Sequence, residues 1–134
     1  MIFLRKGRKT VVLQKISGEF AVCKVSGYPP NVLDADYCFI GRTDGEKSLV
    51  CRAEDVPAEG VLARDDGWMA FRAAGTLDFS LIGILAGIAG VLAKEKISLF
   101  AVSTYDTDYI LVKKERADAA FAALEKAGYT VVDA

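Results

Sequence analysis

Residues Gly75 to Lys114, GTLDFSLIGILAGIAGVLAKEKISLFAVSTYDTDYILVKK, decide how this chain is read. They hold a polar, glycine-containing turn, a very apolar helical segment, and two strands joined by a turn rich in hydroxyls and carboxylates. On a helix over residues 81 to 95, Leu81, Ile84, Leu85, Ile88, Val91 and Leu92 gather into one broad core-facing stripe. The opposite side is small: Gly83, Ala86, Gly87, Gly90 and Ala93, with Lys94 at its end. Each interior glycine costs a helix roughly 0.8–1 kcal/mol relative to alanine. Such a face therefore implies a second surface close to the backbone, either another part of this chain, such as residues 1 to 65, or a second copy.

A bilayer is the competing explanation, since Gly83 and Gly87 form a small-xxx-small pair. The uncharged run from Phe79 to Ala93 is 15 residues long, short of the ~20 that a spanning helix needs. Asp78 closes one end and Lys94, Glu95 and Lys96 close the other, so no membrane partner is expected.

At 134 residues the chain is one ordinary domain or two very small halves sharing a core. Its 17 basic and 18 acidic residues are dispersed, which leaves no electrostatic footprint for nucleic acid. The small cluster Arg5, Lys6, Arg8 and Lys9 reads as a solvated segment. Met1 to Leu4 is followed at once by charge, so it is no secretory core, and a cytoplasmic protein is the expectation. Cys23, Cys38 and Cys51 are widely spaced, with no CxxC pair and no histidine to complete a zinc site. They read as buried thiols in preference to a redox set. Without histidine, Ser-His and Cys-His nucleophile activation is excluded, and no motif supports carboxylate or lysine catalysis. Neither an enzyme nor a cofactor is expected.

Along the chain, TVVLQKI (10–16) and FAVCKV (20–25) read as two short strands, or as one strand with a bent continuation. Gly27-Tyr28-Pro29-Pro30-Asn31 is a break. YCFIGRT and SLVCRA flank Asp44-Gly45, the clearest hairpin signal, in a loop longer than two residues if Glu46 and Lys47 join it. Glu54 to Glu59 suits one helical turn. After VLAR, Asp65-Asp66-Gly67 reads as a boundary between a strand-rich half, residues 1–65, and a second half, 66–134. That second half begins with the strand WMAFRAA and continues through the turn and helix above. ISLFAVST, almost continuously apolar, is expected in the sheet centre or buried on both sides. YILVK is its antiparallel partner, Glu115 to Ala127 a helix with Ala117, Phe121 and Leu124 inward and Gly128 as terminator, and YTVV a last strand. The order βαββαβ predicts an α+β, ferredoxin-like fold with two helices on one face of an antiparallel four-stranded sheet.

With these residues in view, the second half resembles an ACT domain, the amino-acid-sensing module of aspartate kinases and other regulated enzymes. GTLDFSLIGILAGIAGVLAKEKISLFAVSTYDTDYILVKK is similar to ACT proteins related to the CASTOR arginine sensors, most specifically in its STYDTDYILVK segment. The whole chain resembles small bacterial tandem-ACT proteins in which a divergent, ACT-like, strand-rich half (1–65) precedes the recognisable domain (66–134).

The resemblance implies a ligand site where the first strand meets the first helix: Gly75, Thr76, Leu77, Asp78, Phe79 and Ser80. Backbone N–H groups at a helix start, with the helix dipole, favour a ligand carboxylate. Ser103, Thr104, Asp106 and Asp108 of the next turn supply hydroxyls and a carboxylate for an ammonium or a basic side chain. Simpler roles stand beside these. Asp78 or Ser80 can be only a helix cap, Asp106 and Asp108 can only shape the hairpin, Ser103 and Thr104 can only end a strand, and Phe79 can simply pack. Asp78, Asp106 and Asp108 match no metal-loop spacing. The expectation is a regulatory or sensor protein that binds a free amino acid, arginine or another, and forms a homodimer. The alternative is a protein–protein interaction module without a small-molecule ligand.

Overall fold

The computed structural model describes residues 2–5, 8–74 and 83–133. In chain order the elements are β1 (Ile2–Arg5), β2 (Arg8–Val25), α1 (Pro30–Leu33), β3 (Cys38–Arg42), β4 (Lys47–Arg52), β5 (Val61–Ala73), α2 (Ile84–Lys94), β6 (Phe100–Ser103), β7 (Asp108–Lys113), α3 (Lys114–Lys126) and β8 (Thr130–Asp133). The chain forms two compact units, Met1–Ser17 with Met69–Ala134, and Gly18–Trp68. The units are not cut at a single point of the chain, and strands β2 and β5 each contribute to both.

In the first unit the element order β5-α2-β6-β7-α3-β8 is the expected βαββαβ. Its strands neighbour one another in the order β8-β2-β5-β7-β6, and β1 also pairs with β2, antiparallel, Phe3 opposite Thr10. The expected antiparallel four-stranded sheet needs correcting on this point. The last strand, β8, pairs with β2 rather than with another strand of the repeat, and it does so in parallel, Leu13 opposite Val131. Leu13 is fully buried, and Val131 packs on the same core, so this pairing lets β2 bring its own apolar side chains under the helices.

That core lies on one sheet face. Leu13, Phe71, Ala73, Ile110 and Val112 from the strands meet Ile88 and Leu92 of α2 and Ala117, Ala120, Phe121 and Leu124 of α3. Phe71 and Phe121 pack edge to face with ring centroids 5.3 Å apart, a favoured aromatic geometry. Ile84, Leu85 and Val91 complete the α2 stripe as partly buried residues. Ala86, Gly87, Gly90 and Ala93 are exposed. At Gly87 the close approach comes from within the unit, because an added Cβ would lie 2.8 Å from the Tyr129 hydroxyl. At Gly90 nothing lies within 4 Å of that position.

Both helices end in the same C-terminal arrangement. Gly128 N–H donates to the Glu125 carbonyl and Tyr129 N–H to that of Leu124, with Gly128 at φ +106°. In α2, Lys96 N–H donates to Ala93 and Ile97 N–H to Leu92, with Lys96 at φ +58°. These are Schellman closures, which need one left-handed residue each. Gly128 was legible as a terminator; Lys96 was not, since lysine carries no such signal.

Strand β6 also differs from expectation. It stands at the end of the strand order, paired with β7, and its burial alternates, with Ala101 and Ser103 exposed. Its apolar run continues outside the strand instead, where Ile97 is buried and Leu99 packs on the core.

The second unit contains the strand order β3-β4-β2-β5. The two segments of β2 are one strand with Gly18 at φ +94° in its middle. The expected boundary at Asp65-Asp66-Gly67 lies inside β5, just before the point between Trp68 and Met69 where the chain passes from one unit to the other. Arg64 and Asp66, two residues apart and so on one strand face, pair through Nε at 2.9 and 2.8 Å from the two carboxylate oxygens. Gly67 takes φ +83°. The hairpin falls where Asp44-Gly45 placed it. Thr43 N–H donates to the Glu46 carbonyl at 2.9 Å, and the Thr43 hydroxyl accepts from Gly45 and Glu46 N–H. The proline break contains one helical turn, α1, with Pro30 where a missing N–H is harmless. The turn expected over 54–59 is a 3₁₀ turn at Ala53–Asp55. Ala21, Cys23, Val25, Val32, Leu49 and Cys51 form this unit's core.

Candidate functional site: the turn between β6 and β7

Residues Ser103 to Asp108 close the β6–β7 hairpin. Thr104 N–H donates to the Thr107 carbonyl at 2.8 Å. The Thr104 hydroxyl donates to the same carbonyl at 3.0 Å and accepts from Thr107 N–H at 3.3 Å. The Thr104 side chain thus reinforces the backbone closure of the turn. Ser103 Oγ donates to Asp108 Oδ1 at 2.6 Å. That short bond to a carboxylate is strong for its type and braces the turn, the simpler role weighed for Asp108, while Ser103 is the last residue of β6.

Asp106 differs. It is exposed, and its carboxylate bonds to no described residue. Tyr105 beside it is 89% exposed. The turn therefore presents one open anionic group with an aromatic neighbour.

Thr107 carries the most structural information and was missed from the sequence. It is buried, and its hydroxyl donates to the Ala73 carbonyl at 3.1 Å. Ala73 is the last residue of β5, and the following Ala74 N–H donates to Val12. The turn is thereby tied to the point where the chain leaves β5 for Gly75. The one available signal was the spacing of Thr104 and Thr107, the two ends of a four-residue turn.

Gly75, Thr76, Leu77, Asp78, Phe79 and Ser80 lie outside the described residues. Helix α2 starts at Ile84, and its N-cap is Gly83 at φ +86°, without a side-chain cap.

A separate shallow groove of about 550 Å³ runs between α2 and α3 over Val91, Ala119, Ala122 and Ala123, with Lys94 and Lys126 on its rim. Among the described residues no group of histidine, cysteine, aspartate or glutamate side chains is arranged to hold a metal ion, and no helix is long and apolar enough to cross a membrane.

Residues 63–126, from β5 to the end of α3, match the family model of the ACT domain. Protein Atu0741 of Agrobacterium tumefaciens is similar in structure over 93% of this chain and 94% of its own, at 28% identity and a TM-score of 0.82. VC0802 of Vibrio cholerae, a protein of unknown function, is similar over 87% of this chain and 89% of its own, at 25% identity and a TM-score of 0.71. The regulatory subunit of aspartate kinase from Thermus thermophilus shares the fold, over 87% of this chain and 95% of its own, at 15% identity and a TM-score of 0.57. No curated protein matches the sequence. By family match and by fold, this chain carries an ACT domain at residues 63–126.

Proposed function

We propose that the protein is a regulatory or sensor protein that binds a free amino acid where β5 gives way to α2, beside the β6–β7 turn. The observation that carries this reading is the Thr107–Ala73 hydrogen bond of 3.1 Å. It holds the hydroxyl- and carboxylate-bearing turn against the end of β5, from which the chain enters Gly75 to Ser80. In this reading the segment Gly75, Thr76, Leu77, Asp78, Phe79 and Ser80 receives the ligand carboxylate on backbone N–H groups. Asp106 holds the α-ammonium, or the side-chain cation if the ligand is arginine, and Thr104 completes the hydrogen bonds. Asp108, already bonded to Ser103, acts by orienting the turn. The half-buried Arg72, whose Nε and Nη1 meet Gln14 and Tyr109 at 3.0 Å each, belongs to the scaffold.

Self-association as a homodimer belongs to the same proposal. The exposed small residues of α2 support it, because Gly90 and Ala93 leave room for a second backbone. The site is tested by backbone amide spectra recorded while a mixture of the twenty amino acids is titrated in. Shifts confined to residues 75–80 and 103–108 are expected; shifts elsewhere, such as along the α2–α3 groove, would move the site, and a silent spectrum would favour the interaction module.

A further inference from the structure

Three thiols face one core in the second unit. Cys23 is on β2, Cys38 on β3 and Cys51 on β4, all packed in or against the cluster of Ala21, Val25, Val32 and Leu49. All three are free, and the amino-acid site described above uses none of them.

Their register separates one pair from the third. Cys38 lies directly opposite Cys51. The Thr43 N–H to Glu46 carbonyl bond closes the hairpin as a hydrogen-bonded pair, and in an antiparallel ladder such pairs alternate with non-hydrogen-bonded ones. Counting back from Thr43, the pairs at Gly41 and Phe39 are hydrogen-bonded, and those at Arg42, Ile40 and Cys38 are not. Non-hydrogen-bonded partners have Cα atoms ~4.5 Å apart and their side chains closest together. A disulfide accepts Cα separations of about 4.4–6.8 Å. Cys23, by contrast, lies opposite Leu49, and Cys51 opposite Ala21. That puts Cys23 and Cys51 on a diagonal, with Cα atoms roughly 7–8 Å apart, too far to bridge without moving the backbone.

We propose that Cys38 and Cys51 form a reversible cross-strand disulfide, with a small-molecule disulfide of the glutathione class as oxidant. Cys38 is the partly exposed thiol and reacts first. Its thiolate attacks one sulfur of the oxidant, the oxidant's S–S bond breaks, and one thiol leaves. Cys51 then loses its proton and attacks the Cys38 sulfur, the protein S–S bond forms, and the second small thiol leaves with that proton. Two protein thiols are oxidised by two electrons, and one small disulfide is reduced to two thiols. Burial raises both the Cys38 and the Cys51 thiol above the ordinary value, so the exchange speeds up as pH rises.

The test uses the full-length reduced protein incubated with oxidised glutathione, then denatured, alkylated and analysed by intact mass and peptide mapping. The expected product is about 2 Da lighter than the reduced chain before alkylation, two hydrogen atoms having left, and after alkylation it carries one alkyl group where the reduced chain carries three. It contains a linked Cys38–Cys51 peptide with Cys23 alkylated, and dithiothreitol reverses it. Cys23→Ala retains the product and Cys38→Ala abolishes it. Alkylation of both Cys38 and Cys51 would overturn the proposal. So would a link through Cys23 or between chains, or a glutathione adduct that persists on Cys38.

Discussion

Thr107 and Lys96 show how much rests on single residues that carry no obvious signal. Thr107→Val keeps the shape of the side chain but leaves the buried Ala73 carbonyl without its hydroxyl donor. A loss of about 1–3 kcal/mol is expected in urea unfolding; an unchanged midpoint would mean that the turn does not depend on this bond. Lys96 sits at φ +58°, where a non-glycine residue is strained by roughly 1–2 kcal/mol. Lys96→Gly removes that strain against glycine's larger entropic cost, so a stabilisation of about 0.5–1 kcal/mol is expected. Cys51 contributes to the alkaline limit, with Cys23, Cys38 and Tyr129 raised in the same direction. Burial pushes the Cys51 thiol up to about 12 from 9.0, with smaller contributions in the same direction from Cys23, Asp55 and Cys38. A folded pKa above the unfolded one contributes stability that is complete below pH 9 and is lost as pH rises toward 12. The loss reaches on the order of 2 kcal/mol by about pH 10.5. Stability measured against pH should fall in this window, and Cys51→Ala should flatten the fall.

At the scale of elements, α2 separates two uses of glycine. Gly87 faces the Tyr129 hydroxyl, which an added Cβ would meet at 2.8 Å, whereas Gly90 faces open space. Gly90→Ala is therefore expected to stabilise the protein by about 0.8–1 kcal/mol, the full helix-propensity gain. Gly87→Ala gains less, because Tyr129 must move. Denaturant midpoints of the two variants compare them directly. If Gly90→Ala instead lowers both stability and oligomeric mass, its face is engaged by a second copy. The element order of the ACT domain was legible because alternation, helical stripes and the Gly128 terminator are local patterns. The errors concern features that local patterns do not encode. Apolarity in ISLFAVST spoke of burial but not of position in the sheet, so an end strand was read as central or buried on both sides. Asp65-Asp66-Gly67 has turn chemistry, yet Arg64 neutralises Asp66 across one strand face and the strand continues.

For the whole molecule, the less legible part was which strand pairs with which. Nothing in YTVV announces a parallel partner in residues 12–15, because partner choice is settled by how Leu13 and Val131 share a core. The candidate site divides in the same way. Residue chemistry picked out the hydroxyl and carboxylate turn, whereas the bond that anchors it, from Thr107 to Ala73, joins positions distant in sequence. The proposed function has this anchored turn and the segment after β5 bind a free amino acid. Its most direct test is thermal unfolding of the protein and of Asp106→Ala against each of the twenty amino acids. A ligand at 100 times its dissociation constant stabilises the folded form by about 2.7 kcal/mol. A selective rise in Tm for one amino acid or a chemically related few, lost in Asp106→Ala, is expected; no rise for any of the twenty, or a rise that Asp106→Ala leaves intact, would overturn the proposed function.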